Sequence, residues 1–540
     1  MFKRYIARLW LTRYLLLNIK FNLYIKANLK KITFKSNSIK SNKNVFIPLI
    51  ETNHYQFYQI LILAKALEKR GLNVTVLICN QFLPACEIKN SNTSSFDPCL
   101  ECKFNTLNSL PYFKLNTIKI EDLISQDKLK SLKKVALNLQ NSNENIIYDG
   151  FDISKIIYDS LLRYFYGDIP KTNSSKKVEY DQILTTIINL EFAKIYFTKY
   201  KPDILLNNMF VYSPWEPYYL IAKKLNIHTN VISISTFDFN KIVINRMDLY
   251  LSNKRYNNWT SKRSNIFLSS LEEKKLNDFL FKRFQGYSDI FLKTNIFNNK
   301  KQNIVNILNI DKSKKNIFLF TNLFWDVGLS DSSGIYEGVI DWVIDTIKII
   351  ENNPNVHLYI KPHPAEIYDT SPSKKGVIQF ILERFRTLPE NVTIIDPKLK
   401  IKTYDLFDFI DLGLVYNGTI GIEMLLNCIP ILVTGKAPYS YLNSVINPVN
   451  RNTYINAITN SCKESIIVNI EEIKLFSYFY FIKNLIPWNL TKKAYADNFK
   501  AFSITNDSDL DPGKNIFLDH ICNSIIQPEI YNIEDWDEFH

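Results

Sequence analysis

The chain has 540 residues, 46% of them hydrophobic and 22% charged, a globular composition long enough for two cores rather than one. The net charge of +13 is concentrated at one end: residues 1–50 hold eleven Lys or Arg and no acid, leaving 55 bases against 53 acids in the rest. A near-neutral body argues against a nucleic-acid-binding face on the fold, and no nucleic-acid partner is expected.

The basic tail spans residues 1–43. Arg8, Arg13, Lys20 and Lys26 interrupt its apolar runs, which argues against a signal peptide or a membrane span. Phe2, Tyr5, Ile6, Leu9, Trp10, Leu16 and Leu17 recur at roughly helical spacing between the bases. That pattern predicts an amphipathic helix through which residues 1–31 adsorb to an anionic membrane surface. The alternative is a helix packed on the body. A cytoplasmic protein, peripheral on the inner face of the plasma membrane, is the expectation.

Residues 44–50 read as a short buried strand, followed by a polar loop at Glu51-Thr52-Asn53-His54 and an apolar helix over 57–70. Gly71 supplies the left-handed position after that helix, and 74–79 is the next strand. Strand, helix and strand at this length form a βαβ unit, which crosses over right-handed onto a parallel sheet. Residues 80–112 show little periodicity and read as a Cys-rich loop. Cys79, Cys86, Cys99 and Cys102 fall within it or at its edge. One CxxC with two further thiols predicts a structural zinc site, or else free or redox-active thiols. Disulfides are not expected.

Helical patterns cover 123–139, 153–165 and 183–200. Strand 204–208, helix 215–225 and strand 229–234 repeat the β–α–β order, with Asn207, Asn208, Ser213 and Glu216 read as belonging to the intervening loop. Residues 240–300 read as helical and charged. The expected domains are 44–305 and 306–475, followed by a helical extension over 476–540.

The second series begins with a strand over 317–322. A helix over 336–351 places apolar residues at 339, 340, 343, 344 and 347 on one face. Strand 356–360 ends in Lys361-Pro362-His363-Pro364-Ala365-Glu366. Each proline fixes its own φ and pushes the residue before it into an extended conformation, so Lys361 and His363 are presented just past a strand end. Ligands of α/β sheets bind at that end, and a cation beside an imidazole suits a phosphate. Two βα units later, strand 412–416 leads into Asn417-Gly418-Thr419-Ile420-Gly421-Ile422-Glu423. A glycine-containing strand-to-helix turn offers N–H groups and a helix dipole to an anion. Thr419 is expected as an N-cap or phosphate ligand, and Glu423 as an acceptor from a sugar or ribose hydroxyl.

The chain lacks a GxxxxGK[ST] loop, an HExxH and a GxSxG. No Asp-x-Asp within the two α/β series marks a divalent-metal site of the usual sugar-transfer kind. Protein cations are therefore expected to stabilise a leaving phosphate, with no cofactor required for catalysis.

Taken together, Asn322-Leu323-Phe324-Trp325-Asp326, the Lys361–Glu366 motif, Tyr416–Glu423 and Pro430…Gly435…Tyr439 resemble bacterial capsule and surface-polysaccharide glycosyltransferases of the GT-B type. The resemblance covers roughly residues 313–445. It implies two Rossmann-like domains with parallel sheets facing a central cleft, flanked by helical N- and C-terminal extensions, with a nucleotide-sugar donor held by the second domain. It also implies donor-phosphate roles for His363 and Thr419, and donor contacts from Lys361, Glu366, Asn417, Gly418, Gly421 and Glu423. The general base is expected across the cleft, at Glu51 or His54, with Glu216 third. A glycan or lipid-linked acceptor is the expected partner. A CDP-alcohol phosphotransferase and a non-catalytic assembly scaffold are the alternatives.

Overall fold

The computed structural model describes residues 26–35, 42–51, 54–91, 98–142, 145–238, 240–246, 254–285, 301–326, 334–368, 372–399, 401–461, 467–493 and 499–527. The amphipathic-helix expectation for residues 1–25 lies outside them. Among the described residues, no helix is long and apolar enough to cross a membrane.

The first sheet contains β1 (Asn44–Leu49), β2 (Asn73–Ile78), β3 (Asn116–Lys119), β6 (Ile204–Asn207), β7 (His228–Ile234) and β8 (Lys241–Arg246). A small antiparallel pair, β4 (Ile147–Tyr148) and β5 (Phe151–Asp152), stands apart from it. The second sheet contains β9 (Lys315–Phe320), β10 (Val356–Lys361), β11 (Val392–Ile394), β12 (Leu412–Val415), β13 (Ile431–Val433) and β14 (Val445–Ile446). A late strand, β15 (Ile486–Pro487), returns to the first sheet, whose order is β15-β8-β7-β6-β1-β2-β3. From β7 to β3 its neighbours pair in parallel, whereas β8 and β15 add antiparallel edges.

The second sheet is parallel throughout, in the order β11-β10-β9-β12-β13-β14. Counted within the domain, that is 3-2-1-4-5-6, the doubly wound Rossmann arrangement. The parallel part of the first sheet has the same handed order for its first five strands. Two Rossmann-like domains are therefore present. β10 is buried at all six positions, as a strand covered by helices on both faces must be.

Several sequence expectations change. Residues 98–113 are a 16-residue helix, not loop. Pro98 sits at its first position, where a missing N–H costs nothing. β8 replaces the first part of the expected helical stretch. Helices Lys254–Ser261, Ser270–Phe284 and Lys301–Leu308 bury Tyr256, Trp259, Leu276, Leu280 and Ile304 in one core with Phe318 and Val433. These helices, expected in the first domain, thus pack into the core that also holds Phe318 and Val433 of the second sheet. The expected helical extension over 476–540 is mixed. It contains β15, an antiparallel pair (Thr491–Lys493 with Phe499–Phe502) and the helix Ile516–Ile526, which joins the first domain's core.

A compact seam ties the domains together. Leu162 and Tyr166 from the end of helix Ser154–Phe165 pack with Leu323, Trp325 and Ala365 of the second domain. Tyr166 and Trp325 meet edge to face at 5.2 Å. Arg163 lies 5.3 Å from the Trp325 ring centre, donates to Asp326 at 3.1 Å and pairs with Glu87 at 2.8 Å. Lys374 donates its backbone N–H to the Tyr166 carbonyl at 3.0 Å and its ammonium to Ser91 at 2.6 Å. Gly167 makes this approach possible. Its φ is +91°, and a Cβ there would stand 2.7 Å from the Phe324 ring.

Gly167→Ala is expected to disturb the seam specifically. Left-handed strain and overpacking together cost about 1–3 kcal/mol. Calorimetry should show the single unfolding transition of the wild type broadening or splitting as the domains uncouple. An unchanged transition would mean that the seam contributes nothing to domain coupling.

Candidate functional site

β9 and β12 are adjacent in the second sheet, although β10 and β11 intervene in sequence. The chain reverses its winding there, and a crevice opens beyond the carboxyl ends of the strands. The side-chain amide of Asn322, after β9, donates to Asn417, after β12, at 2.8 Å across this switch point. Beyond it lies a cleft of about 1210 Å³ of empty space, open solvent included. Its walls include Thr321, Asn322, Lys361, His363, Thr419 and Arg283.

Lys361 is the last residue of β10 and is 7% exposed. Its ammonium donates to the Ile401 carbonyl at 3.3 Å. No carboxylate pairs with it among the described residues. Burial without a counter-charge pushes its pKa down to about 8.

His363 is fixed at both ends. Its backbone N–H donates to the Thr321 hydroxyl at 3.0 Å, and its Nδ1 accepts from the Ala365 N–H at 3.2 Å. The neutral ring therefore carries its proton on Nε2. That tautomer makes His363 a hydrogen-bond donor rather than a base.

Arg283 was not anticipated from sequence. It comes from the last turn of helix Ser270–Phe284, outside the β–α series. Its Nε donates to Glu423 at 2.5 Å and its Nη2 to the Thr419 hydroxyl at 3.3 Å. The guanidinium stands 5.4 Å from the Phe237 ring centre and 5.8 Å from that of Phe481. A planar guanidinium packed beside this aromatic pair keeps a fixed orientation. Glu423 lines the cleft, but its carboxylate is committed to Arg283, so the expected direct hydroxyl contact becomes an orienting one.

Other expected donor contacts separate in the same way. Gly418 and Thr419 line the cleft. The Thr419 hydroxyl does not cap the following helix, whose seven residues Ile420–Leu426 form under two turns. Asn417 acts through Asn322. Gly421 does not line the cleft. A Cβ there would meet the Tyr439 hydroxyl at 2.3 Å, and that hydroxyl donates to the Gly418 carbonyl. Gly421 thus lets Tyr439 buttress the turn. Glu366 also points elsewhere: it accepts from the Val377 N–H at 3.1 Å, at the start of helix Val377–Arg384. Burial pushes its carboxyl up to about 7. Its proposed donor contact has no geometric basis among the cleft walls.

In the first domain, Glu51 stands just past β1, separated from it by Ile50, and is 8% exposed. Burial pushes its carboxyl up to about 8, with Glu87 raising it further and Arg163 opposing. It does not line the cleft of the second domain. His54 opens helix His54–Lys69, but its side chain lies outside the described residues. Glu216 lies in helix Tyr212–Lys224, away from the cleft walls.

Cys79, Cys86, Cys99 and Cys102 do come together, as walls of one smaller cavity. Among the described residues, however, no three metal-ligating side chains converge on a common point. Burial raises the pKa values of Cys79 and Cys86 in the metal-free protein. The expected four-cysteine zinc site does not fit this geometry.

No protein-family model matches the chain, and a search of curated proteins finds no match. Solved structures with similar folds do exist. The KpsC β-Kdo 2,7 transferase of Thermosulfurimonas dismutans shares 11% identity, over 53% of this chain and 79% of that one, at a TM-score of 0.31. The UDP-GlcNAc 2-epimerase of Neisseria meningitidis, bound to UDP-GlcNAc, shares 12% over 82% and 99%, at 0.26. The calicheamicin glycosyltransferase CalG4 shares 11% over 81% and 95%, at 0.23. Likeness at these TM-scores assigns no function by itself.

The buried Glu51 carboxyl has a testable sign. A folded pKa of about 8 against an ordinary carboxyl value of 4.5 means that the folded protein favours the protonated form. The associated stability is complete below the unfolded pKa and is lost as pH rises toward 8. Glu51→Gln should therefore be more stable than wild type at pH 8, by about 1–3 kcal/mol. The difference should shrink toward zero near pH 5 in denaturant titrations. A difference independent of pH would place the ionisation elsewhere.

Proposed function

We propose that the chain is a glycosyltransferase that moves a sugar from a nucleotide-sugar donor to a surface glycan or lipid-linked acceptor. The observation that carries this reading is the buried Lys361 ammonium, without a carboxylate partner among the described residues, at the switch point of a Rossmann sheet. Such a charge is costly to maintain, and a phosphate in the cleft relieves that cost. Arg283 and the Nε2–H of His363 share the same cleft. The Oδ1 of Asn322 is buried, with no partner among the described residues, and suits a hydroxyl of the ribose or sugar.

In this mechanism the acceptor hydroxyl attacks the anomeric carbon, and the bond to the nucleoside phosphate breaks. Negative charge grows on the leaving phosphate. Lys361, Arg283 and His363 stand preorganised to meet it, and preorganised charge is worth most where water is excluded. The proton of the acceptor hydroxyl is assigned to the loop after β1, where Glu51 and His54 are the candidates. The raised Glu51 pKa suits a group that accepts a proton near neutral pH. The basic residues of the tail would hold the enzyme at an anionic membrane, where lipid-linked acceptors reside.

His363→Ala is expected to reduce kcat about 10²–10³-fold, as loss of one preorganised donor does, with the thermal transition unchanged. Product analysis identifies the bond formed, and a phosphodiester product would replace this reading with phosphoalcohol transfer. An undiminished rate would remove His363 from the mechanism.

Lys361 predicts a pH signature for binding. Below pH 7 the ammonium is charged and nucleoside diphosphate affinity should be flat. Above pH 8 affinity should fall by up to about tenfold per unit. In Lys361→Met, isothermal titration should show weaker binding without that pH dependence. The same slope in the variant would assign the titration to another group.

A further inference from the structure

The helix Pro98–Phe113 turns an apolar face outward. Leu100 is 60%, Phe104 38% and Leu107 63% exposed. With the exposed Pro111, these positions fall within a sector about 60° wide at helical spacing. Exposed apolar side chains are ordinary when scattered singly, but four on adjoining turns make a stripe. The opposite face of the helix is fully used. Leu110 and Phe113 are buried in the first domain's core, and the Ser109 hydroxyl bonds to that of Tyr58 at 2.7 Å.

Ammonium groups flank the stripe on both sides. Exposed Lys103 borders one edge. Asn108 borders the other, and its side chain accepts from the Lys26 ammonium at 3.1 Å. Lys26 opens a short helical segment at residues 26–31 that is fixed in place. Leu29, Ile32 and Phe34 are buried in the same core as Phe113, and the Phe34 ring stacks on that of Phe113 at 4.8 Å. The outer side of this stretch presents Lys30, Lys31 and Lys35 to solvent.

Lysines around an apolar stripe match the two layers of an anionic bilayer. The apolar side chains enter the boundary between head groups and acyl chains, while the ammonium groups stay with the lipid phosphates. A second copy of this chain fits less well. A two-fold contact through the stripe would bring the same lysines face to face. A soluble anion would satisfy the lysines and leave the stripe bare.

We propose that the outer face of helix Pro98–Phe113, together with residues 26–35, is a membrane-contacting surface of the folded first domain, and that its partner is an anionic phospholipid bilayer. The helix begins beside the carboxyl ends of β1 and β2, where Cys99 and Cys102 stand with Leu49, Ile50 and Ile78. Contact through it therefore sets those strand exits near the lipid head groups. Reading that nearness as access to a lipid-linked acceptor rests on the proposed function, whereas the surface itself does not.

Vesicle co-sedimentation of the full-length protein tests the surface. Vesicles containing phosphatidylglycerol should bind the wild type at least about tenfold more tightly than vesicles of phosphatidylcholine alone. The double substitution Phe104→Glu, Leu107→Glu should lower binding to the anionic vesicles about tenfold or more, with the thermal transition unchanged. Leu382, 56% exposed on helix Val377–Arg384 of the second domain, is the control. Leu382→Glu should bind as the wild type does. Binding unchanged by the double substitution would leave attachment to the N-terminal tail alone and overturn the proposal. Equal loss in Leu382→Glu, or equal binding to phosphatidylcholine alone, would also overturn it. A lowered thermal transition in the double variant would show the stripe packed by the chain itself. A wild-type dimer that the double substitution converts to monomer in light scattering would assign the stripe to a second copy. Either result would overturn the membrane assignment. The readout needs no sugar donor and no turnover, so it stands or falls separately from His363-dependent transfer.

Discussion

A positive charge held in a dry site at the end of a strand governs the second domain. Lys361 cannot retreat. β10 is paired on both sides, to β9 and β11, and Pro362 follows at once. The ammonium has only the Ile401 carbonyl to lean on among the described residues. Desolvating a cation without a full counter-charge is unfavourable, and the fold tolerates it because a parallel sheet of six strands over-determines the backbone there. The neighbouring groups are set by the same frame. Thr321 hydrogen-bonds to both the backbone of β10 and that of His363, so the exits of β9 and β10 are joined. The site is thereby rigid before any ligand arrives, which is the condition under which electrostatic stabilisation costs no reorganisation.

The seam between the domains places a second constraint on the same loops. Trp325 belongs to the loop after β9, whose first residues form the cleft wall. Its indole N–H donates to Ser373 at 2.7 Å, while its ring receives Tyr166 and Arg163 from the first domain. Arg163 also touches the environment of Glu51. The cleft of the second domain and the loop after β1 are thus connected through a short chain of packed and charged groups. Movement at the seam would be felt on both sides.

Much of the second domain was legible in sequence because its signals are local. Buried strands appear as apolar β-branched runs, and the prolines flanking His363 state their own backbone geometry. The spacing of two βα units between Lys361 and Thr419 is a topological fact that becomes a spatial one only in a doubly wound sheet. Arg283 was not legible, because its helix joins the cleft through tertiary packing and carries no motif. Glu366 and Gly421 were read as ligand contacts since each lies inside a motif. Their actual work is to hold a helix start and to admit Tyr439, which sequence proximity cannot distinguish from ligand binding. The helix bearing Cys99 and Cys102 was read as loop although Pro98 marked its start. Polar residues and an internal Pro111 masked its period. β3 is largely exposed and polar, so it lacks the apolar run by which buried strands are recognised.

The central claim is that Lys361 is a desolvated cation awaiting a phosphate. Nuclear magnetic resonance titration of the Lys361 side chain, assigned by loss of its signal in Lys361→Met, measures this directly. The account predicts a midpoint near pH 8 in the free protein, displaced upward when a nucleoside diphosphate is added. A midpoint near the ordinary lysine value of 10.5, unmoved by nucleotide, would contradict it.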